Sequence, residues 1–119
     1  MRPAGNHVQA AILRAVAAQA GLDPTDREKP ILIVEDVRSV DWASATFVGA
    51  RHEFDMRIIG DHAAVARAAD WLVAGLADRD IPISGQIVAE IAVVLGNEDK
   101  RNLNMGGMSL SVNALTIVD

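Results

Sequence analysis

The sequence predicts an α+β fold: a mainly antiparallel four-stranded sheet with two helices packed on one of its faces. Within 119 residues, apolar side chains recur at helical spacing in two stretches and follow strand patterns in four others. The predicted element order is α-β-β-α-β-β, and both β-β connections have the spacing of hairpins, which favours antiparallel pairing. The length suits one domain over residues 1–119.

The composition is that of a globular chain without covalent staples. Hydrophobic residues make up 50% and charged residues 23%, and there is no cysteine, which excludes disulfides and cysteine-based metal sites. The formal net charge is −5 and the basic residues are scattered, so the electrostatic footprint of a nucleic-acid-binding protein is missing. The longest apolar-leaning run, 8–22, is too polar to span a bilayer and has no signal-peptide layout before it. We therefore expect a soluble protein that does not contact membranes.

The first helix is predicted over residues 7–20, with Asn6 as its N-cap and Gly21 at its C-terminal end. Its apolar stripe is narrow and rich in alanine, which is typical of a helix packed close to a sheet.

A first strand is predicted over residues 31–37. Its first half, 31–34, is apolar on both faces, which indicates a central or covered strand. Glu35 and Asp36 mark its emergence into solvent, and residues 38–45 are predicted to form a loop that carries Trp42.

The second strand is predicted over residues 46–59, because apolar and charged residues alternate from His52 onward. His52, Phe54, Met56 and Ile58 share one face, and Glu53, Asp55 and Arg57 share the other. Gly49 suggests a bulge or a close approach of two backbones. The unusual length predicts a hairpin arm that projects beyond the domain body.

The second helix is predicted over residues 62–78, capped by Gly60-Asp61. Its expected inward stripe consists of Val65, Ala69, Leu72, Val73 and Leu76. A second stripe of Ala64, Ala68, Trp71 and Gly75 lies beside the first. Two adjacent apolar stripes exceed what one sheet face needs, so we expect a second partner, either the first helix or another subunit.

The last two strands are predicted over residues 86–95 and 108–118, joined by a long, polar and mobile connection over 96–107. The third strand is expected to place Ile87, Ala89, Ile91 and Val93 on one face. In the fourth strand the apolar phase slips to Leu115 and Ile117, which predicts a bulge near Ala114.

The residue types that carry chemistry do not form a recognisable site. The three histidines, His7, His52 and His62, have no metal-ligand spacing, and no serine lies in a nucleophile elbow. The carboxylates Glu35, Asp36 and Asp41 are interpreted as an exposed loop rim, with an acid/base pair or a weak cation site as the alternative. We expect no catalytic residue, no cofactor and no bound metal.

Aromatic residues are scarce, at 3% of the chain, which makes Trp42, Phe47 and Trp71 informative. Each either fills the edge of the core or anchors a protein interface, where aromatic residues are enriched. The sequence leaves both interpretations open.

The order of these features resembles a known family. A strand ending in an acidic pair is followed by Asp41-Trp42 with Ser44 and Thr46, then by Gly49, Arg51 and His52 leading into the alternating strand, an alanine-rich helix and Ile-Pro-Ile-Ser-Gly. This pattern, over about residues 10–118 and most diagnostic over 42–52, resembles the small phage tail-completion proteins of siphophages and of α-proteobacterial gene transfer agents, which are similar to the lambda-type tail terminator. Family members often carry an aromatic residue where this chain has Ile58-Ile59.

The resemblance implies a structural function. Such terminators form a ring, usually of six subunits, that stops tail-tube polymerisation and docks the head or neck, while DNA passes through the lumen without specific binding. The implied partners are further copies of the chain, the tail tube protein and a head-completion or neck protein. The protein would lie in the cytoplasm during assembly and then in the phage-like particle.

Two segments and nine residues are the candidate contacts for such assembly. The segments are the predicted arm over 40–50 and the polar loop over 97–107. The loop could become ordered on assembly. The candidate interface residues are Trp42, Ser44, Thr46, Phe47, Arg51, Ala64, Ala68, Trp71 and Arg101.

Two alternatives stay open. The chain could be a head–tail connector or another neck ring protein, since these share the ring geometry. It could also be a small enzyme or ligand-binding domain, which would require a concave pocket with converging polar groups.

Overall fold

A computed structural model describes residues 3–100 and 104–119, with side chains described for residues 7–99 and 104–119. In chain order the elements are α1 (Pro3–Gln19), β1 (Ile31–Ala43), β2 (Val48–Asp61), α2 (His62–Gly75), a one-turn 3₁₀ helix (Leu76–Asp78), β3 (Gln86–Lys100) and β4 (Met105–Val118). This order confirms the predicted α-β-β-α-β-β arrangement.

The four strands form one antiparallel sheet in the order β1-β2-β4-β3. The central pair, β2 and β4, is matched from Gly49 opposite Ile117 to Asp61 opposite Met105. The edges of the sheet are therefore β1 and β3. Because the strands are 13 to 15 residues long, the molecule is elongated, with a longest dimension of 52 Å.

The core lies between one face of the sheet and both helices, which we call the helix face. Its fully buried side chains include Ile12 and Val16 of α1, Phe54 and Met56 of β2, and Leu72 of α2. The predicted apolar face of β2, including His52, is confirmed. The opposite face of the sheet carries neither helix, and we call it the bare face.

Helix α1 begins at Pro3, so the prediction of Asn6 as the N-cap is wrong: Asn6 lies inside the helix. Proline is well tolerated in the first helical turn, where its missing N–H has no intrahelical partner. The predicted end is confirmed. Gly21 has a φ of +72°, and the N–H groups of Gly21 and Leu22 donate to the carbonyls of Ala18 (3.1 Å) and Ala17 (2.9 Å). These two bonds form a Schellman motif.

Strand β1 extends well beyond the prediction. It pairs with β2 from Ile31 opposite Ile59 to Ala43 opposite Val48, so the loop predicted over 38–45 is wrong and Trp42 lies on a strand. The charged residues after Val34 point from the bare face into solvent rather than ending the strand, with a register shift at Glu35. The central or covered position predicted for this strand is also wrong, because β1 is an edge on which Ile31, Ile33 and Val34 are exposed.

Strand β2 is not a projecting arm, because it pairs with β4 along almost its whole length. The close backbone approach predicted at Gly49 is confirmed. A Cβ atom at this position would lie 1.8 Å from the carbonyl oxygen of Thr116. The sheet has its register shifts elsewhere, in β1 and β3.

Helix α2 starts as predicted, with the carboxylate of Asp61 accepting a hydrogen bond from the N–H of Ala64 at 3.1 Å. Its buried side is centred on Val65, Ala68, Leu72 and Leu76. Val73 is 58% exposed, so its predicted inward position is wrong, because it falls outside this helical arc.

The β3–β4 hairpin has a shorter connection than predicted. Residues 96–100 belong to β3 and residues 105–107 to β4, because the two strands pair almost to the turn. Residues 101–103 lie outside the described residues.

Register shifts in β3 explain two further errors. The shift between Val88 and Glu90 places Ile87 on the bare face and Ile91 on the helix face, so the single apolar face predicted for β3 is wrong. Strand β4 pairs with β2 without a shift, so no bulge lies at Ala114. Leu115 and Ile117 instead belong to the bare face.

In the part of the chain that the structure describes, neither helix is long and apolar enough to cross a membrane.

Candidate assembly surface

A cleft of about 640 Å³ lies on the helix face at the end of the β1–β2 hairpin. The start of α1 and the ends of the strands contribute its walls. Its lining includes Val8, Trp42, Ala50, His52, Thr116 and Val118.

A chain of polar side chains closes the floor of the cleft. The Nε2 amide of Gln9 donates to Ser39 Oγ at 2.8 Å, and Ser39 Oγ lies 2.7 Å from Nδ1 of His52. Nε2 of His52 lies 3.0 Å from Thr116 Oγ1. Burial lowers the pKa of His52, so the imidazole is neutral at pH 7. A neutral imidazole has one donor and one acceptor nitrogen, so His52 donates to one of these two hydroxyls and accepts from the other.

This arrangement ties α1, β1, β2 and β4 together. A serine beside a histidine also has the distance of a nucleophile and its base. However, the second imidazole nitrogen bonds the hydroxyl of Thr116 rather than a carboxylate that would stabilise an imidazolium. The arrangement therefore favours a structural role for His52.

The hairpin turn presents four of the candidate interface residues. The N–H of Ser44 donates to the carbonyl of Phe47 at 2.8 Å, and the N–H of Phe47 donates to Ser44 Oγ at 3.1 Å. These bonds hold the turn while the side chain of Phe47 stays 54% exposed and Thr46 is exposed beside it. Trp42 is half-buried and lies outside the core cluster. The end of the β1–β2 hairpin thus carries two aromatic side chains, Trp42 on β1 and Phe47 in the turn.

The candidates on α2 lie elsewhere. Trp71 is 49% exposed, and part of its ring packs on Gly21. Its carbonyl accepts a hydrogen bond from Nε2 of Gln19 at 2.8 Å, so α1 is the partner of this stripe within the chain. Ala64 is half-buried, whereas Ala68 is buried in the core and its side chain does not reach the surface. Arg101 lies outside the described residues.

These candidates form two separate patches. Trp71 shares a small hollow with Pro30, immediately before β1, whereas Trp42 lies near the far end of that strand. The length of β1 separates the two patches by roughly 36 Å, at about 3.3 Å per residue.

Ion pairs lie across the bare face, which has more carboxylates than guanidinium groups among its described residues. Arg38 contacts the carboxylates of Asp36, Glu53 and Asp55. The hydrogen bond from Arg38, followed by one from Ser111, holds the pKa of Asp55 below its ordinary value. The same contacts, with Asp55 first, raise the pKa of Arg38.

Two further arginines pair across this face. Arg57 lies 3.3 Å from Glu35 and 3.8 Å from Asp99. Arg51, the remaining candidate interface residue, pairs with Glu90 at 3.7 Å. Leu115 of β4 lies between these two residues, and their side chains cover it, which explains its burial.

The structure separates the carboxylates that the sequence grouped together. Glu35 and Asp36 pair with arginines on the bare face, whereas Asp41 lines the cleft. Within residues 3–100 and 104–119, no group of histidine and carboxylate side chains could hold a metal ion.

Exposed apolar residues on both sheet edges are the surface that sequence reasoning missed. On β1 these are Ile31, Ile33, Val34 and Val40, and on β3 they are Ile87 and Val94. The signal was present in the run 31–34, which is apolar on both faces. That run was interpreted as a central or covered strand, whereas it lies at an edge of the sheet.

Comparisons with known proteins found a likeness at the level of fold. No family model matches the chain, and no curated protein matches it. A solved chain in a structure described as the virion of a native gene transfer agent (GTA) particle superposes with a TM-score of 0.68 at 18% sequence identity. The match covers 98% of this chain and 99% of that chain. The two chains therefore share their fold from end to end.

Proposed function

We propose that this chain is a structural protein of a phage-like particle or gene transfer agent. Within such a particle it acts as a tail terminator: copies of the chain form a ring, usually of six subunits in the family it resembles. The ring ends the tail tube and joins it to the head or neck. The observation that carries this proposal is the end-to-end likeness to a virion chain, which covers 98% and 99% of the two proteins.

The distribution of apolar surface supports assembly. A closed ring of identical subunits needs two different patches on each subunit, because its contacts are heterologous. The described surface offers such patches on opposite edges of the sheet and at the hairpin tip with Trp42 and Phe47. Exposed apolar and aromatic residues of this kind are typical of protein interfaces.

The bare face supports a role as the wall of a DNA passage. Its carboxylates exceed its arginines, so it would repel the phosphate backbone and let DNA slide without specific binding. With this face inward, the helices would lie on the outside of the ring, where the circumference is larger.

The proposed role requires no catalytic group and no cofactor. The His52–Ser39 pair is assigned to the stability of the sheet, since its hydrogen bonds connect four elements of the fold.

The experiment that tests this function uses tail tubes polymerised from purified tube protein of the same particle. Adding this protein should stop tube elongation, and electron microscopy should show extra density at one end of each tube. A matched pair of variants sharpens the result: Phe47→Ser changes the exposed hairpin tip, whereas Val73→Ser changes an equally exposed position on α2.

We expect Phe47→Ser to weaken capping and Val73→Ser to leave it unchanged. Tubes that elongate normally, with no density at either end, would refute the terminator role. Binding to the head vertex but not to tubes would instead identify a neck ring protein.

A further inference from the structure

Both edges of the sheet are long, and each carries apolar side chains that are exposed in the described chain. Val40 on β1 is 67% exposed and Val94 on β3 is 59% exposed. An open edge of this kind is a template for pairing with another chain, and proteins protect it with devices such as lysine, proline and β-bulges. The central parts of both edges, 31–40 and 87–95, contain neither lysine nor proline, and each has one bulge residue, Glu35 or Ala89.

The direction of the edge strands favours a second copy of this chain as the partner. Every neighbouring pair in the order β1-β2-β4-β3 is antiparallel, so β1 and β3 run in opposite directions. A second copy placed beside the first in the same orientation therefore brings its β3 antiparallel to β1. The sheet continues across the boundary with its hydrogen-bond pattern unchanged.

We propose that β1 of one copy pairs with β3 of the next copy, head to tail, in the register that places Val37 opposite Ile91. This inference rests on the ring assembly proposed above and specifies its interface. Glu35 and Ala89, which are bulge residues in their own sheet, remain without a facing residue. The facing pairs are then Leu32 and Leu95, Ile33 and Val94, Val34 and Val93, Val37 and Ile91, Arg38 and Glu90, and Val40 and Ile87.

The faces of the strands agree in this register. Leu32, Val37, Val93 and Leu95 lie at the two margins of the core, so pairing joins the cores of neighbouring subunits into one apolar layer. On the bare face, Ile33 meets Val94. A slip by one residue would place each helix-face residue on the wrong side.

Charge favours this register over the two registers that are shifted by two residues. Those two registers also keep helix-face residues opposite helix-face residues. In the proposed register, Arg38 faces Glu90. A shift by two positions in one direction places Asp36 opposite Glu90, and like charges directly opposite one another are destabilising. A shift in the other direction places Glu90 opposite Val40 and Asp36 opposite Val94, which sets carboxylates against apolar side chains.

The size of the edge predicts that a single pairing is weak. About ten residues at 3.3 Å each, across a sheet roughly 10 Å thick, present on the order of 330 Å² per partner. A standard stable interface buries about 800 Å² per partner. In a closed ring each subunit makes two such contacts and no edge stays open, so the ring is the form in which the pairing persists.

The test uses engineered disulfides, because the natural chain has no cysteine. The double variant Ile33→Cys with Val94→Cys places two thiols at a facing pair. Within one copy the two edges are three strand spacings apart, about 14 Å, which a disulfide cannot bridge. The matched control, Ile33→Cys with Ile87→Cys, uses the same two edges but is out of register by about 23 Å.

Under mild oxidation at high protein concentration, the facing pair should give a ladder of covalent oligomers that ends in a closed ring. The control pair and each single variant should stay monomeric on a non-reducing gel. Thermal unfolding of the reduced variants establishes that all of them are folded.

Three outcomes would overturn the inference. If the folded double variant Ile33→Cys with Val94→Cys gives only monomers, this contact is excluded. If this variant and the control variant give equal ladders, the disulfides form by random collision. A covalent dimer from Ile33→Cys alone would mean that two β1 strands pair with each other. Tube capping without the ladder refutes the edge pairing alone, whereas a ladder without capping refutes the terminator function alone.

Discussion

Nε2 of His52 lies 3.0 Å from the hydroxyl oxygen of Thr116, and both side chains are buried between the sheet and α1. The contact bridges the two central strands near Gly49, where an added Cβ would lie 1.8 Å from the carbonyl oxygen of Thr116. It is a buried polar contact in an otherwise apolar core, so its strength depends on the protonation state of the imidazole.

The stability of the protein should therefore depend on pH through His52. Burial lowers the pKa of His52 from its ordinary value of 6.5, so below pH 6.5 the unfolded chain binds a proton that the folded chain does not. The free energy of unfolding should fall as the pH drops from 6.5 toward the lower pKa of the folded state. Urea unfolding at a series of pH values between 7.5 and 5 measures this, with His52→Gln as the control. Equal slopes in the two proteins would contradict the prediction.

Gly49→Ala should strongly destabilise the fold. The added Cβ would lie 1.8 Å from the carbonyl oxygen of Thr116, so the two central strands would have to separate. We expect a loss of about 3 kcal/mol or more in the free energy of unfolding. Gly85→Ala is the matched control, because Gly85 has a φ of +75° but no atom within 4 Å of the added Cβ. That variant should lose only about 1 kcal/mol, from backbone strain. Similar losses in both variants would mean that the close approach is relieved at little cost.

Trp42→Ala should separate assembly from folding. Trp42 is half-buried and outside the core cluster, so its truncation should reduce the free energy of unfolding by less than about 2 kcal/mol while weakening tube capping. Phe54→Ala, which empties a fully buried site, should lose about 3–5 kcal/mol. Chemical unfolding and the capping assay together decide this. A stability loss for Trp42→Ala as large as that for Phe54→Ala would assign Trp42 to the core.

Arg38→Gln should raise the pKa of Asp55. The guanidinium group is the main cause of the lowered pKa of this carboxyl, and its removal leaves Asp55 next to Glu53 and Asp36. A carbon-detected NMR titration of the aspartate side chains measures the shift. Arg51→Gln, on the same face, should leave the titration of Asp55 unchanged, because Arg51 pairs with Glu90. An unchanged Asp55 in Arg38→Gln would show that Ser111 alone sustains the shift.

The features that local chemistry determines could be predicted from the sequence. Gly21 ends α1 because it accepts a positive φ, and Asp61 starts α2 because its carboxylate accepts a backbone N–H. The alternation from His52 to Ile58 identified the helix face of β2. Each of these signals lies within a few residues along the chain.

The features that depend on neighbouring strands could not be predicted. Glu35 and Asp36 suggested the end of β1, but both belong to ion-pair networks on the bare face that include charges from β2. The register shift at Ala89 likewise depends on β4. Cross-strand partners are distant in sequence, so these residues gave no local signal.

The candidate surface was predicted in part. Trp42 and Phe47 were identified from the scarcity of aromatic residues, and the structure brings them together at one end of the sheet. The edge residues Ile33 and Val94 were missed, because an apolar run has the same pattern whether its own chain or another subunit covers it.

The strand order also constrains when the fold can form during synthesis. Strand β4 lies between β2 and β3 but follows both of them in the chain. Until the ribosome has released β4, the β1–β2 hairpin and β3 have no common neighbour, and the side chain of His52 lacks Thr116. The sheet therefore completes only after translation of its last strand. Before that point β3 and the β4-facing side of β2 are additional unpaired edges, and the nascent chain is most exposed to aggregation.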